Sequence, residues 1–235
     1  MSAQIKFFKK NKADISNSLV SITVTDATAT NNGQDFVDFM RNRNNYSAWL
    51  TTGSNDAANT TLVVDMTEER DVDTIILVDH NFDSYTLKYW NGSSYVDFST
   101  AISVSGNTSD TTSHDVTSVS TSRIQLVITG TQVADADKRL AQLIVTEKLV
   151  SGQLEGWPII KAPEHTTNKK ISRMLSGKVN VVESLGAFSM DLEVANWNID
   201  ADLDIVEEIY FGKRGVLVWL SAGNEAQFSH LRMGS

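Results

Sequence analysis

Alternating apolar and polar residues dominate the chain up to about residue 148, and this period of two predicts β-strands. The segments are short, rich in β-branched residues, and separated by loops rich in Ser, Thr, Asn and Gly. Such segments favour an antiparallel β-sandwich over alternating strands and helices. The predicted strands are 19–24, 62–66, 72–78, 85–90, 95–98, 123–128 and 140–146.

A tight turn is predicted between two of these strands. Asn91 and Gly92 readily adopt the positive φ angles that a short β-hairpin needs. In the strand before the turn, alternation places Trp90 on the more polar face, together with Thr86 and Lys88. We therefore expect Trp90 to be accessible to solvent.

The pattern changes near residue 149. The range 149–170 shows no clear period and contains both prolines, which predicts an ordered linker. The remaining residues predict strands at 172–183, 188–194, 216–220 and 226–233 and one helix at 200–211. The expected fold class is mainly β: an N-terminal sandwich over residues 1–148, a linker over 149–170 and a smaller C-terminal ββαββ unit over 171–235.

Composition and charge exclude several classes of protein. The chain has 235 residues, of which 41% are hydrophobic, so it can bury a core. Its formal net charge of -9 argues against affinity for nucleic acid or anionic membranes. It contains no cysteine, and no stretch approaches the length of a membrane span. The basic N-terminus lacks the apolar region of a signal peptide, so we expect synthesis in the cytoplasm without general secretion.

The patterns that resemble metal sites lack the ligands or the ligand spacing that such sites need. The four histidines lack zinc-ligand spacing, and His114, beside Asp115 in a loop rich in Ser and Thr, is expected to be a surface residue. Asp200, Asp202 and Asp204 match the start of a calcium loop, but Ile205 and Phe211 stand where that loop needs Gly and Glu. We interpret the three carboxylates as charges at a helix N-terminus. The sequence predicts no metal, no cofactor and no enzymatic activity.

One cluster follows the most apolar predicted strand, at a position where loops often carry function. It contains His80, Asn81 and Phe82, and a turn held by Asp and Asn side chains is the competing interpretation. Trp90 is suited to stacking on a sugar ring, with core filling as the alternative. The predicted sugar-binding residues are therefore His80, Asn81, Phe82 and Trp90.

Five segments, taken in order, resemble a known family. They are Asn-Asn-Tyr-Ser-Ala-Trp at 44–49, Thr-Leu-Val-Val-Asp at 61–65, Val-Asp-Thr-Ile-Ile-Leu at 72–77, His-Asn-Phe at 80–82 and Tyr-Thr-Leu-Lys-Tyr at 85–89. This order resembles the discoidin or coagulation factor 5/8 type C family, a galactose-binding-like β-jelly roll, over roughly residues 15–148. The resemblance implies structural places for Trp49, for Asp65 as a buried strand-end residue, and for Tyr85. Arg41 and Arg43 stand where that family often holds calcium, so calcium is not expected here.

The C-terminal pattern resembles tail-tube and distal-tail proteins of long-tailed bacteriophages, through the strand at 188–194, the helix at 200–211 and the run at 215–220. The combined resemblance implies a structural protein of a phage tail tip or baseplate, located in the virion. It would form a homo-oligomeric ring that contacts other tail proteins, with a host-surface glycan as a further candidate partner. The alternative hypothesis is a carbohydrate-binding module of a larger secreted or surface protein. A ring protein forms large oligomers, whereas a module is monomeric and is retained on a glycan column.

Overall fold

The computed structural model describes residues 4–26, 36–44, 46–51, 59–153, 157–160, 164–173, 179–189, 192–195, 216–222 and 225–231. Up to residue 148, the strands are β1 (Gln4–Phe8), β2 (Ser21–Asp26), β3 (Trp49–Leu50), β4 (Thr60–His80), β5 (Phe82–Trp90), β6 (Tyr95–Val104), β7 (Thr112–Thr131) and β8 (Arg139–Thr146), with a short 3-10 helix at Val37–Arg41. The later strands are β9 (Lys148–Gln153), β10 (Trp157–Ile160), β11 (Glu164–Arg173), β12 (Val179–Ser189), β13 (Leu192–Ala195), β14 (Val216–Ala222) and β15 (Glu225–Leu231).

A seven-stranded antiparallel sheet forms the N-terminal part. Its order is β3-β8-β4-β7-β5-β6, and β2 pairs with β4 beside this path. The first half of β4 pairs with β2 and with the second half of β7, whereas its second half pairs with β8 and with the first half of β7. The two long strands therefore belong to both layers of one antiparallel β-sandwich.

The strand β4 changes layer at Thr67. This residue has a φ of 68°, which is unusual for a β-branched side chain. Its N–H donates to Oδ1 of Asp65 (2.9 Å) and its hydroxyl donates to the carbonyl of Leu19 (2.6 Å). The pairing register with β7 shifts at the same point, between Asp65 and Arg70. These hydrogen bonds hold the bend that folds the sheet onto itself.

The core lies between the two layers. One cluster joins Leu62 and Val64 from the first half of β4 to Ile75 and Leu77 from its second half. Trp49 is 0% exposed, which confirms its predicted core position. Burial of large aromatic side chains supplies much of the hydrophobic stabilisation of such a sandwich.

The outer surfaces of the two layers differ. In the second half of β4 and in β8, successive residues are buried on both faces of the sheet. Phe8, Ile76, Val78 and Ile144 form a separate apolar cluster there. The side chain of Asn11 donates to the carbonyl of Leu143 and accepts from the N–H of Val145, which fastens the N-terminal segment to this layer. The first half of β4 and the second half of β7 alternate instead, so their outer face is open.

The N-terminal strand β1 belongs to a different sheet. It lies between β14 and β9 in a four-stranded sheet of order β15-β14-β1-β9. Its register with β14 pairs Gln4 with Ser221 and Phe8 with Leu217. Two further antiparallel pairs, β10 with β13 and β11 with β12, complete the described strands.

The predicted strands are largely present, with differences at their limits. The predicted strands 62–66 and 72–78 are parts of the single strand β4, because pairing with β7 continues on both sides of the bend. The polar range 112–122, where no strand was predicted and His114 and Asp115 were expected in a loop, belongs to β7, since it pairs with the apolar half of β4. The hairpin at Asn91 and Gly92 is confirmed: Gly92 has a φ of 96°, and Asn91 Oδ1 accepts the N–H groups of Ser93 and Ser94.

Differences are larger after residue 148. The predicted linker range 149–170 contains most of β9, all of β10 and part of β11. The strands β9 and β10 pair with β1 and β13, which are distant in sequence, so a local pattern cannot show this pairing. The predicted strand 172–183 is divided between β11 and β12, which pair with each other. The predicted helix at 200–211 lies outside the described residues, and the division into domains stays a prediction. Within the described ranges, no helix has the length and apolar character to cross a bilayer.

Candidate functional site

The structure places His80 and Phe82 in the interior of the sandwich. His80 is 2% exposed and Phe82 is 0% exposed. Their rings pack against each other with centroids 4.9 Å apart. Because neither ring has accessible surface that a sugar could contact, these two predicted binding residues are core residues of the sandwich.

Hydrogen bonds determine the tautomer of the His80 ring. The N–H of Phe82 donates to Nδ1 (3.1 Å), so this nitrogen is an acceptor and the ring proton lies on Nε2. Nε2 faces the hydroxyl oxygen of Thr112 (3.1 Å), which also lies 2.9 Å from the Tyr85 hydroxyl. The Tyr85 hydroxyl lies 2.8 Å from Nε2 of His114. A buried polar chain therefore connects β4, β5 and β7.

Burial controls the protonation of this chain. It lowers the pKa of His80 from 6.5 to about 4, with a smaller opposing effect from Asp110. It also lowers the pKa of His114, against the nearby carboxylate of Asp115, and raises the pKa of Tyr85. His114 was expected to be a surface residue, but it is half-buried and bonded to Tyr85 because the polar range that contains it is a strand. Both rings are thus neutral at pH 7.

Asn81 is half-buried and connects the junction between β4 and β5 to the chain at the start of β8. Its side chain donates to the carbonyl of Asp137 (2.8 Å) and accepts from the N–H of Arg139 (2.8 Å). The guanidinium of Arg139 forms two hydrogen bonds with the carboxylate of Asp79. These contacts support the turn interpretation of this segment.

Trp90 lies on the open face of the sandwich. In β5, Tyr85 and Leu87 are buried, whereas Thr86 and Trp90 on the other face are half-buried. This confirms the alternation predicted for the strand. Of the four predicted sugar-binding residues, Trp90 alone lies on the open face with part of its side chain accessible.

Two side chains pack against the Trp90 ring, and a third holds one of them. The Arg123 guanidinium lies over it, with its Cζ 5.4 Å from the ring centroid. Tyr95, its partner across the hairpin, meets it edge to face with centroids 5.1 Å apart. Nε of Arg123 donates to Oδ2 of Asp65 (2.8 Å). We call Trp90, Tyr95, Arg123 and Asp65 the aromatic–ionic cluster.

The aromatic–ionic cluster is held in place and is still accessible. Arg123 and Asp65 keep 41% and 31% of their side-chain surfaces exposed. Burial raises the pKa of Tyr95, and the Arg123 guanidinium beside it opposes this shift. Asp65 is therefore a half-exposed partner of Arg123, in contrast to the buried residue that the family resemblance implies. The cluster presents aromatic surface, hydrogen-bond donors and a carboxylate acceptor together.

The sequence did not predict Tyr95, Arg123 or Asp65 as site residues. Alternation in 123–128 does place Arg123 on an outer face, and that signal was available. The juxtaposition of Asp65 with Arg123 depends on the register between β4 and β7, which local patterns do not determine.

The position where the resembled family often holds calcium contains an ion pair. The Arg43 guanidinium forms two hydrogen bonds with the carboxylate of Asp14, which is 2% exposed. Burial by itself would raise the pKa of Asp14, but the hydrogen bonds from Arg43 and Ser16 outweigh burial and lower this pKa to about 2. Among the described side chains, no group of three or more acidic or histidine residues is arranged to hold a metal ion.

Comparisons with known proteins give likenesses of low identity. The sequence matches no protein-family model and no curated protein. A GH29 fucosidase of Ruminococcus gnavus in complex with fucose is 15% identical, with a TM-score of 0.47 over 59% of this chain and 27% of that chain. This chain therefore corresponds to about a quarter of the length of that enzyme.

Two binding modules are similar over nearly their whole length. Chitosan-binding module 1 of a Paenibacillus sp. IK-5 chitosanase/glucanase is 14% identical, with a TM-score of 0.45 over 58% of this chain and 98% of that chain. The Clostridium perfringens module CpGH89CBM32-5, in complex with GalNAc-β-1,3-galactose, is 12% identical, with a TM-score of 0.42 over 56% of this chain and 97% of that chain. At these identities and TM-scores, the likenesses assign no family, ligand or function to the chain.

Proposed function

We propose that the N-terminal sandwich is a galactose-binding-like jelly roll that acts as a carbohydrate-binding module. The observation that carries this proposal is the aromatic–ionic cluster on the open face. Half-exposed Trp90 offers an apolar ring for the C–H face of a sugar, and Arg123 and Asp65 offer a donor and an acceptor for its hydroxyl groups. This combination is typical of sites that orient a polar ligand on an aromatic surface.

The preset geometry of the cluster favours binding. Arg123 is held between Asp65 and the Trp90 ring, and Tyr95 fixes the ring edge. Side chains that are already ordered lose little conformational entropy when a ligand binds. The cluster therefore supports binding better than the segment at His80 and Phe82, which lies in the core.

Affinity electrophoresis in gels that contain neutral polysaccharides tests this proposal. We expect galactan, β-glucan, mannan or xylan to retard the protein, and Trp90→Ala to reduce the retardation at least tenfold. Tyr46→Ala is the matched control, because Tyr46 is fully exposed and lies outside the cluster. The proposal is contradicted if no polysaccharide retards the wild-type protein. It is also contradicted if the wild type and Trp90→Ala are retarded equally.

The hypothesis of a phage-tail ring protein stays a prediction from the sequence. Its helix at 200–211 lies outside the described residues, and the described strands do not report on assembly. The mass of the purified protein by light scattering separates the two hypotheses. A monomer retained by a glycan favours the module, and a large closed oligomer with no glycan affinity favours the ring.

A further inference from the structure

The aromatic–ionic cluster is part of a longer row that crosses five strands. The register places Ser21 of β2 opposite Asp65 of β4, and Asp65 opposite Arg123 of β7. Arg123 lies over Trp90 of β5, which pairs with Tyr95 of β6. Neighbouring strands are about 4.8 Å apart, so the row spans about 19 Å from β2 to β6. We call this row the cross-strand row.

The length of the cross-strand row exceeds a single sugar. A pyranose ring covers roughly one strand spacing, so one sugar on Trp90 reaches only Arg123 or Tyr95. Asp65 and Ser21 lie one and two strands beyond Arg123. A ligand that uses the whole row must therefore be a chain of several linked sugars that lies across the strands.

The charges of this face fit an uncharged ligand. In the cross-strand row, Arg123 is paired with Asp65. In the adjacent row, Lys88 of β5 lies opposite Asp97 of β6, with Nζ 3.6 Å from Oδ1. Two positive and two negative side chains thus cancel, and the whole chain carries a net charge of -9. A polyanionic chain gains no attraction here, whereas neutral hydroxyl groups can bond to both members of each pair.

We propose that the cross-strand row binds the interior of a linear, uncharged glycan chain. This inference rests on the proposed carbohydrate-binding function and specifies its ligand class. Aromatic surface at Trp90 and Tyr95 holds one part of the chain, and the Asp65–Arg123 pair and Ser21 bond to hydroxyl groups of the sugars beyond. Affinity therefore rises with chain length until the row is filled.

Isothermal titration with neutral β-linked oligosaccharides of one, two, four and six units tests the length dependence. Series of glucose, galactose, mannose, xylose and N-acetylglucosamine serve as probes, with oligogalacturonate as the anionic counterpart. We expect at least one neutral series to gain tenfold or more in affinity between one and four units. We also expect a loss of at least tenfold in Trp90→Ala, and no affinity for oligogalacturonate.

A second variant maps the row itself. Ser21 is exposed and lies two strands from the aromatic pair, so Ser21→Arg adds bulk and charge at the far end without entering the core. It should weaken binding of six units several-fold and leave binding of two units unchanged, whereas Tyr46→Ala should change neither.

Two results would overturn the inference and leave the proposed function standing. One is a monosaccharide that binds as tightly as its hexamer and still depends on Trp90. The other is a Trp90-dependent preference for oligogalacturonate. Absence of binding to every probe overturns the inference and the proposed function together.

Discussion

Acidification should destabilise the sandwich through His80. The ring is 2% exposed, and its Nδ1 accepts the N–H of Phe82. A proton on Nδ1 would therefore remove this acceptor and place the Nδ1–H opposite the Phe82 N–H. Burial lowers its pKa to about 4, against 6.5 in the unfolded chain. Because the unfolded state binds the proton first, this contribution to stability is complete above pH 6.5, decreases as the pH falls below 6.5 and is fully lost below pH 4.

The pKa values determine the size of this effect. The full shift corresponds to about 3 kcal/mol, of which about 2 kcal/mol is lost between pH 7 and pH 5. Asp14 does not contribute between pH 7 and pH 5. Its pKa is lowered from 3.8 to about 2, so its stabilisation is lost only as the pH falls from 3.8 to about 2. The interval between pH 7 and pH 5 therefore reports on histidines and not on Asp14.

Urea unfolding at pH 7 and pH 5 measures the loss. His80→Asn should be less stable than wild type at pH 7, because it loses packing, but its stability should change less on acidification. His114→Asn is the companion variant, since the pKa of His114 is also lowered by burial. An equal loss in wild type and His80→Asn refutes the reasoning. If the variant does not fold, an NMR titration of the wild-type His80 ring that gives a pKa near 6.5 refutes it equally well.

Three further predictions concern stability. Trp49→Ala should cost about 3–5 kcal/mol by urea unfolding, because Trp49 is 0% exposed, and an unchanged midpoint would show that it is not a core residue. Arg43→Ala should cost about 3 kcal/mol by the same assay, because it leaves buried Asp14 without its ion pair, and a cost below about 1 kcal/mol would mean that the pair behaves as a surface one. Treatment with EDTA should leave the melting temperature unchanged; a fall that calcium reverses would reveal a metal site.

Strands with a strong period of two could be predicted from the sequence. Alternation in 85–90 correctly assigned the inward and outward residues, and Asn91–Gly92 located the hairpin. The range 112–122 was missed because its residues are mostly Ser, Thr and Asp, which resemble a loop. It is a strand because its neighbour β4 supplies the apolar layer and the hydrogen-bonding partners. Tertiary context outweighed local propensity there.

The candidate site could be predicted only in part. Trp90 followed from alternation, whereas its partners Arg123 and Asp65 required the register of strands that are 58 residues apart in the chain. His80 was misplaced because a histidine after an apolar strand suggests a surface loop. Its burial depends on Thr112, which satisfies the ring from a strand that the sequence did not reveal.

The position of β1 has a consequence for the order of events during synthesis. Among the described strands, β1 leaves the ribosome before all others, yet its partner β14 begins only at Val216. At about 5–20 residues per second, β1 waits on the order of 10–40 s for that partner. Throughout this time one of its edges has unpaired backbone groups, and such an edge recruits other strands. Chains that terminate early keep that edge open, so quality control of translation matters more for this protein than for one whose sheets close in sequence order.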